Sequence, residues 1–161
     1  MCIRDSWKII DSYKIKILGD STSALRWVKS NLKADDKIAI TEPHPHAALL
    51  ELGRVDYDLA VPLLYDFVYL KDGVLVDRNA GAKVIANLAD LESAVLKSER
   101  LWVLVNREKF RSRNKNIRWE YPGARVELFL RQNFEVAYES YLWTVYLWDP
   151  KVGHYKSFNK L

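Results

Sequence analysis

Residues 38–61 read IAITEPHPHAALLELGRVDYDLAV, and this stretch decides the fold. A short strand, Lys37–Thr41, runs into a turn carrying Pro43, His44, Pro45 and His46. Proline at the start of a helix removes an N–H that has no partner there anyway. A small helix follows and Gly53 stops it. Val55, Tyr57, Leu59 and Val61 then alternate with Asp56 and Asp58, the period-two sign of a strand with one polar face. Strand, helix and strand make an α/β unit, and it holds the chain's only cluster of chemically versatile side chains.

Outward from this unit, Ser21 or Thr22 is placed to cap a helix whose Leu25, Val28 and Leu32 share one face. Downstream, Asp66–Leu70, the turn Lys71-Asp72-Gly73 and Val74–Asp77 predict a hairpin, because Asp-Gly favours the tight turn. Asn87 caps a helix lined by Leu88, Leu91 and Val95. Leu101–Val105, LWVLV, is a continuous apolar run, as a strand buried on both faces requires. Pro122 opens a helix with Val126, Phe129 and Leu130 inward, ending near Asn133. Phe134–Tyr138 and Leu142–Trp148 are aromatic strands separated by a short turn. The order predicts a three-layer α/β domain: a mostly parallel sheet with helices on both faces and an antiparallel aromatic C-terminal strand pair.

Composition bounds the rest. A chain of 161 residues, 49% hydrophobic and 29% charged, suits one globular domain. Residues 21–150 are expected to form it, after a lead-in segment at 7–20 and before a C-terminal tail at 151–161. The opening hexapeptide 1–6, MCIRDS, reads as translated cloning adaptor, which makes the chain a fragment with its native start missing. It contains the only cysteine, so disulfides and thiol nucleophiles are excluded from the domain. No run approaches the ~18 apolar residues of a membrane span. The longest, residues 59–70, is broken by Pro62 and Asp66, and the piece in hand is expected to be soluble.

Two groups of side chains are candidates for binding. His44 and His46 with Arg54, Asp56, Tyr57 and Asp58 form the first. No metal site is expected there, because zinc takes three or four ligands and the remaining histidine is the distant His154. Carboxylates at i and i+2 on a strand lie about 7 Å apart, but both belong to one strand rather than to two sides of a cleft. A solvated strand face is the plainer reading. The second group is the run Arg107, Lys109, Arg111, Arg113, Lys115 and Arg118, followed by Trp119 and Tyr121. It has no apolar period and reads as a loop suited to membrane or phosphate contact, with nucleic acid a weaker option and a solvated connection the plainest. G-x-G-x-x-G, Walker A and G-x-S-x-G patterns are all absent. No catalytic residue and no cofactor are assigned.

The stretches TEPHPHAALLELGRVDYDL (41–59), KDGVLVDRNAGAKVI (71–85), LWVLVNREKF (101–110) and YESYLWTVYLWDP (138–150) together carry a resemblance. In order and character they are similar to the soluble C-terminal domain of GT-C type polytopic membrane glycosyltransferases, the class of dolichyl-phosphate-mannose–protein mannosyltransferases and lipid A aminoarabinose transferases. The likeness covers about residues 20–150. It implies an accessory extracytoplasmic (periplasmic) domain of a membrane enzyme that transfers a sugar from a polyprenyl-phosphate donor. Such a domain caps the active site or contacts donor or acceptor. Its partners would be the transmembrane portion of the same polypeptide and a lipid-linked sugar or anionic lipid. The family's essential acidic residue lies in an extracytoplasmic loop near its N-terminus, so no catalytic residue is carried onto this chain and the fragment alone is expected to be inactive. Asp56-Tyr57-Asp58 has the D-x-D pattern but lies in the wrong part of that architecture. The competing expectation is a free-standing α/β binding module or small hydrolase using His44/His46 and Asp56/Asp58.

Overall fold

The structure is a computed structural model that describes residues 22–41, 46–59, 68–107 and 123–152. Its elements are α1 (22–31), β1 (Lys37–Ile40), α2 (His46–Leu52), β2 (Tyr57–Asp58), β3 (Val68–Lys71), β4 (Val74–Asp77), β5 (Lys83–Val84), α3 (Leu88–Leu96), β6 (Leu101–Asn106), α4 (Gly123–Asn133), β7 (Glu135–Glu139) and β8 (Trp143–Trp148). The fold is mixed α/β, with one eight-stranded sheet in the order β3-β4-β5-β2-β1-β6-β8-β7.

Local chemistry sets the boundaries. Asn87 caps α3 by accepting the Asp90 N–H at 2.9 Å, and Asp90 reaches back to the Ala86 N–H at 3.2 Å. Gly53, at φ 79°, closes α2 by donating its N–H to the Leu49 carbonyl at 2.9 Å. Asp72 and Gly73 both have positive φ, 50° and 78°, as the tightest hairpin turn demands. The turn therefore has two residues, and Lys71, expected within it, belongs to β3.

The centre of the sheet is parallel: β5, β2, β1 and β6 run the same way. Both flanks are antiparallel, through β4 and β3 on one side and β8 and β7 on the other. The expected mostly parallel sheet is thus corrected to a mixed one. The reason is local: the β3–β4 hairpin docks beside β5, at Val76 opposite Lys83, so it extends the sheet instead of standing apart. The expected antiparallel aromatic pair is present as β7 and β8. Its register shifts between Val136 and Tyr138, a bulge on an edge strand.

Every residue of β6 is buried, as its unbroken apolar run requires. Alternate side chains of β1 and β6 enter two separate clusters. Ala39, Leu101, Val103 and Val105 join Leu91 and Val95 of α3 and Phe129 and Leu130 of α4. Ile38, Ile40, Trp102 and Leu104 join Leu25 and Val28 of α1 and Ala48 of α2. Burying a large aliphatic or aromatic side chain contributes about 1.5–3 kcal/mol, so these two clusters supply most of the favourable free energy. Among the described residues, no helix is long and apolar enough to cross a membrane.

Candidate functional site at the carboxyl edge of the sheet

Strand order locates the site. From β1 the chain moves to β2 and β5 on one side, then returns to place β6 on the other. Open α/β sheets bind ligands outside the carboxyl ends of the strands where that reversal occurs, which here lies between β1 and β6. Thr41 fastens this point. Its hydroxyl accepts the Asn106 N–H at 2.9 Å and donates to the Leu104 carbonyl at 3.4 Å, while its own N–H reaches the same carbonyl at 3.1 Å.

One described residue of each group singled out in the sequence stands here, His46 and Arg107. The chain leaves β1 at Thr41 and re-enters described structure at His46, the exposed first residue of α2. It leaves β6 at Arg107, the first cation of the basic run. The Arg107 guanidinium donates to the Ser140 carbonyl at 3.0 Å and pairs with Glu139 at 2.9 Å. His44, Lys109, Arg111, Arg113, Lys115, Arg118, Trp119 and Tyr121 lie outside the described residues.

Beside the end of β6, against α4, a narrow cleft opens over Val105 and Leu130. Its polar lining is Arg107, Glu127, Arg131, Thr144 and Tyr146. Arg131 donates from Nε and Nη2 to a single Glu127 oxygen at 3.1 and 2.8 Å. That bond also holds the guanidinium pKa above its ordinary value. Thr144 and Tyr146 are more than nine-tenths buried. Burial pushes the phenol of Tyr146 up, Arg131 and Arg107 oppose this, and Glu127 and Glu139 reinforce it.

The remaining candidates lie elsewhere. Asp56 precedes β2 and sits at the amino edge, where its carboxylate accepts the Ile38 N–H at 2.9 Å and bonds Lys37 Nζ at 3.4 Å. Arg54 lies 3.7 Å from the same carboxylate and donates to the carbonyls of Ala34 and Asp36. Tyr57 is half-buried against the α3/α4 cluster, and Asp58 is buried within the sheet. The solvated carboxylate face expected of Asp56 and Asp58 is therefore absent: the first is bonded to backbone and cations, and the second is 4% exposed. Neighbouring Asp36, which the sequence suggests only as part of the turn into β1, is more heavily engaged. It accepts the Lys33 N–H at 2.9 Å, the Trp102 Nε1–H at 2.6 Å and Arg100 Nη1 at 3.1 Å.

Sequence reasoning passed over Thr41, Arg131, Thr144 and Tyr146. Two signals pointed to the last three: Glu127 and Arg131 stand at i, i+4, and Thr144 and Tyr146 alternate with Trp143 and Val145. Among the described residues no three His, Cys, Asp or Glu side chains gather as metal ligands. No family model, no curated protein and no solved structure matches the chain.

Proposed function

We propose that this chain is the accessory, extracytoplasmic α/β domain of a polytopic membrane glycosyltransferase of the GT-C type. In this reading its carboxyl edge faces the membrane-embedded active site and the polyprenyl-phosphate-linked sugar. The observation that carries the reading is the position of Arg107: the run of six cations starts at the topological switch point, where an α/β sheet takes its ligand. Basic side chains beside an anionic surface each contribute on the order of 1 kcal/mol, so six suffice for measurable association with a phosphate-bearing bilayer. The two side-chain clusters further support a three-layer domain with α1 and α2 over one face and α3 and α4 over the other. The bonds that hold Asp56 at the opposite edge from His46 favour this reading over a hydrolase built on both.

Vesicle sedimentation of the 161-residue chain tests it. Neutral vesicles doped with a polyprenyl-phosphate hexose should retain the chain at low salt and release it as salt rises. Replacing Lys109, Arg111, Arg113 and Arg118 together by Ser should abolish retention. Equal retention on undoped neutral vesicles, or by the quadruple variant, overturns the proposal. The reading frame upstream of Trp7 gives a second test: several apolar spans of about 20 residues are expected, and a native start adjacent to Trp7 sinks the membrane-enzyme assignment.

A further inference from the structure

We infer that the outer side of α1, together with the adjoining end of α2, rests on the head groups of an anionic bilayer. This deepens the reading above, on which it rests for a membrane within reach, by assigning the side of the domain that meets the lipid. A face and an edge of one sheet stand at right angles, so α1 can lie on lipid while the carboxyl edge turns to the transmembrane portion.

Charge is divided unevenly between the helices. Residues 22–31 of α1 include Arg26 and Lys29 and no acid, whereas α3 has Asp90 and Glu92 and no base. α1 presses Ala24, Leu25 and Val28 into the core. Arg26, Lys29 and Lys33 are spaced by three and four residues, so they gather on a side turned from that core, and all three are exposed. Lys33 shares a shallow depression with Arg54, between the ends of α1 and α2. Two of these four cations are already engaged: Arg26 pairs with Glu51 of α2 at 3.4 Å, and Arg54 lies 3.7 Å from Asp56. Lys29 and Lys33 are not, since among the described residues no carboxylate pairs with either.

A neighbouring leucine decides between anionic partners. Leu50 adjoins Glu51, the residue through which α2 contacts Arg26, and at 87% it is the most exposed large apolar side chain among the described residues. A bilayer accepts both features: its phosphates meet the cations and the acyl boundary receives the leucine. A single-stranded nucleic acid instead stacks its bases on free aromatic rings. The one aromatic residue of α1, Trp27, is already stacked on Tyr138 at 5.3 Å and set edge-on to Trp102 at 5.9 Å. Each basic side chain at an anionic surface is worth about fivefold in affinity, and the attraction fades within a Debye length, so the attachment is weak and salt-sensitive.

Sedimentation with phosphatidylglycerol vesicles tests the assignment, using the full chain with Lys109, Arg111, Arg113 and Arg118 replaced by Ser so that the basic run contributes little. This variant should still be retained at low salt and released as salt rises. Adding Lys29→Glu and Lys33→Glu should weaken retention at least about twentyfold. The thermal melt should not change, because neither lysine has a partner to lose. Labels report the orientation: with Cys2→Ser, a bimane attached through Leu50→Cys should be quenched by lipid carrying a head-group nitroxide. One attached through Leu96→Cys, at the 68% exposed end of α3, should not. Loss of retention in the Ser variant alone, retention that ignores the two lysines, or equal quenching at both positions overturns the assignment. Retention on single-stranded DNA in place of vesicles overturns it too. None of these results touches the polyprenyl-phosphate reading, whose doped neutral vesicles carry phosphates too sparse to hold this face. Retention on phosphatidylglycerol that obeys the lysine variants, with no retention of the parent chain on doped vesicles, keeps the lipid-facing α1 and overturns the glycosyltransferase reading.

Discussion

The two edges of the central sheet carry similar side chains and use them differently. At the amino edge, Asp36 and Asp56 bind backbone N–H groups and cations from remote parts of the chain. Asp36 alone joins the α1–β1 turn to Arg100 and Trp102 of the β6 segment, and Arg100 continues to Asp149 at 3.5 Å. The Arg100 guanidinium also lies over the Trp102 ring, 5.4 Å from its centroid. At the carboxyl edge, Arg131 pairs one helical turn away with Glu127, and Arg107 pairs with half-exposed Glu139. The first set is buried at Asp36 and part-buried at Asp56, and both carboxylates are attached to the main chain. The second is more exposed, and both of its carboxylates come from the surface. Charged residues that hold a fold and charged residues that pair at its surface are thus told apart by what they bond, not by type.

Substitutions probe that contrast. Leu104→Asp, in the strand common to both edges, sets the upper limit: Leu104 is fully buried, and an unpaired carboxylate there should abolish the cooperative thermal transition. A parent-like melt would show that β6 is not central. Next, Asp36→Ala takes the nearer carboxylate from the largely buried Arg100, which keeps Asp149 at 3.5 Å, and the acceptor from the Trp102 Nε1–H, and should cost about 3 kcal/mol in urea unfolding. A loss below about 1 kcal/mol would erase the distinction between the edges. Asp56→Ala removes one backbone acceptor and two partly exposed cation contacts, and a cost of about 1–3 kcal/mol is expected. Arg131→Gln, at the carboxyl edge, should change stability by no more than about 0.5 kcal/mol.

The smallest effect concerns pH. Tyr146 has its pKa raised in the folded state, chiefly by burial, so the folded chain holds this proton more tightly than the unfolded one. The associated stability is complete below the ordinary tyrosine range of about 10 and is lost as pH climbs from there through the folded pKa. Tyr146→Phe should flatten the alkaline limb of a stability-versus-pH curve, and an unchanged limb would show that the phenol is not desolvated.

Where local pattern determined structure, the sequence was legible. LWVLV announces a doubly buried strand because no polar side chain interrupts it, and Asn87, Gly53 and Asp72-Gly73 each satisfy a backbone requirement that few residues meet. Strand β5 was not legible: two residues, Lys83 and Val84, are too few to display a period, and their pairing with β2 and β4 creates the strand. The candidate site suffered from a different blindness. Alternation tells which face of a strand a residue occupies but not which end of the sheet it reaches, so Asp56 looked like a partner for His46 although the fold sends them to opposite edges. Thr41 is ordinary in sequence and becomes a clasp only once β1 and β6 are neighbours.

The position of β8 has a consequence for biosynthesis. It lies between β6 and β7 although the ribosome makes it after both. Until residues 143–148 emerge, fully buried β6 has, among the described strands, β1 on one flank and no partner on the other. The nascent chain therefore exposes an open edge of Leu101–Asn106 throughout the translation of α4 and β7, a template for pairing with other chains. Closing it takes the six residue pairs that β8 brings, Leu101 opposite Trp148 through Asn106 opposite Trp143. Translational pausing or truncation before Trp143 should accordingly yield insoluble product, whereas the same interruption after Trp148 should not.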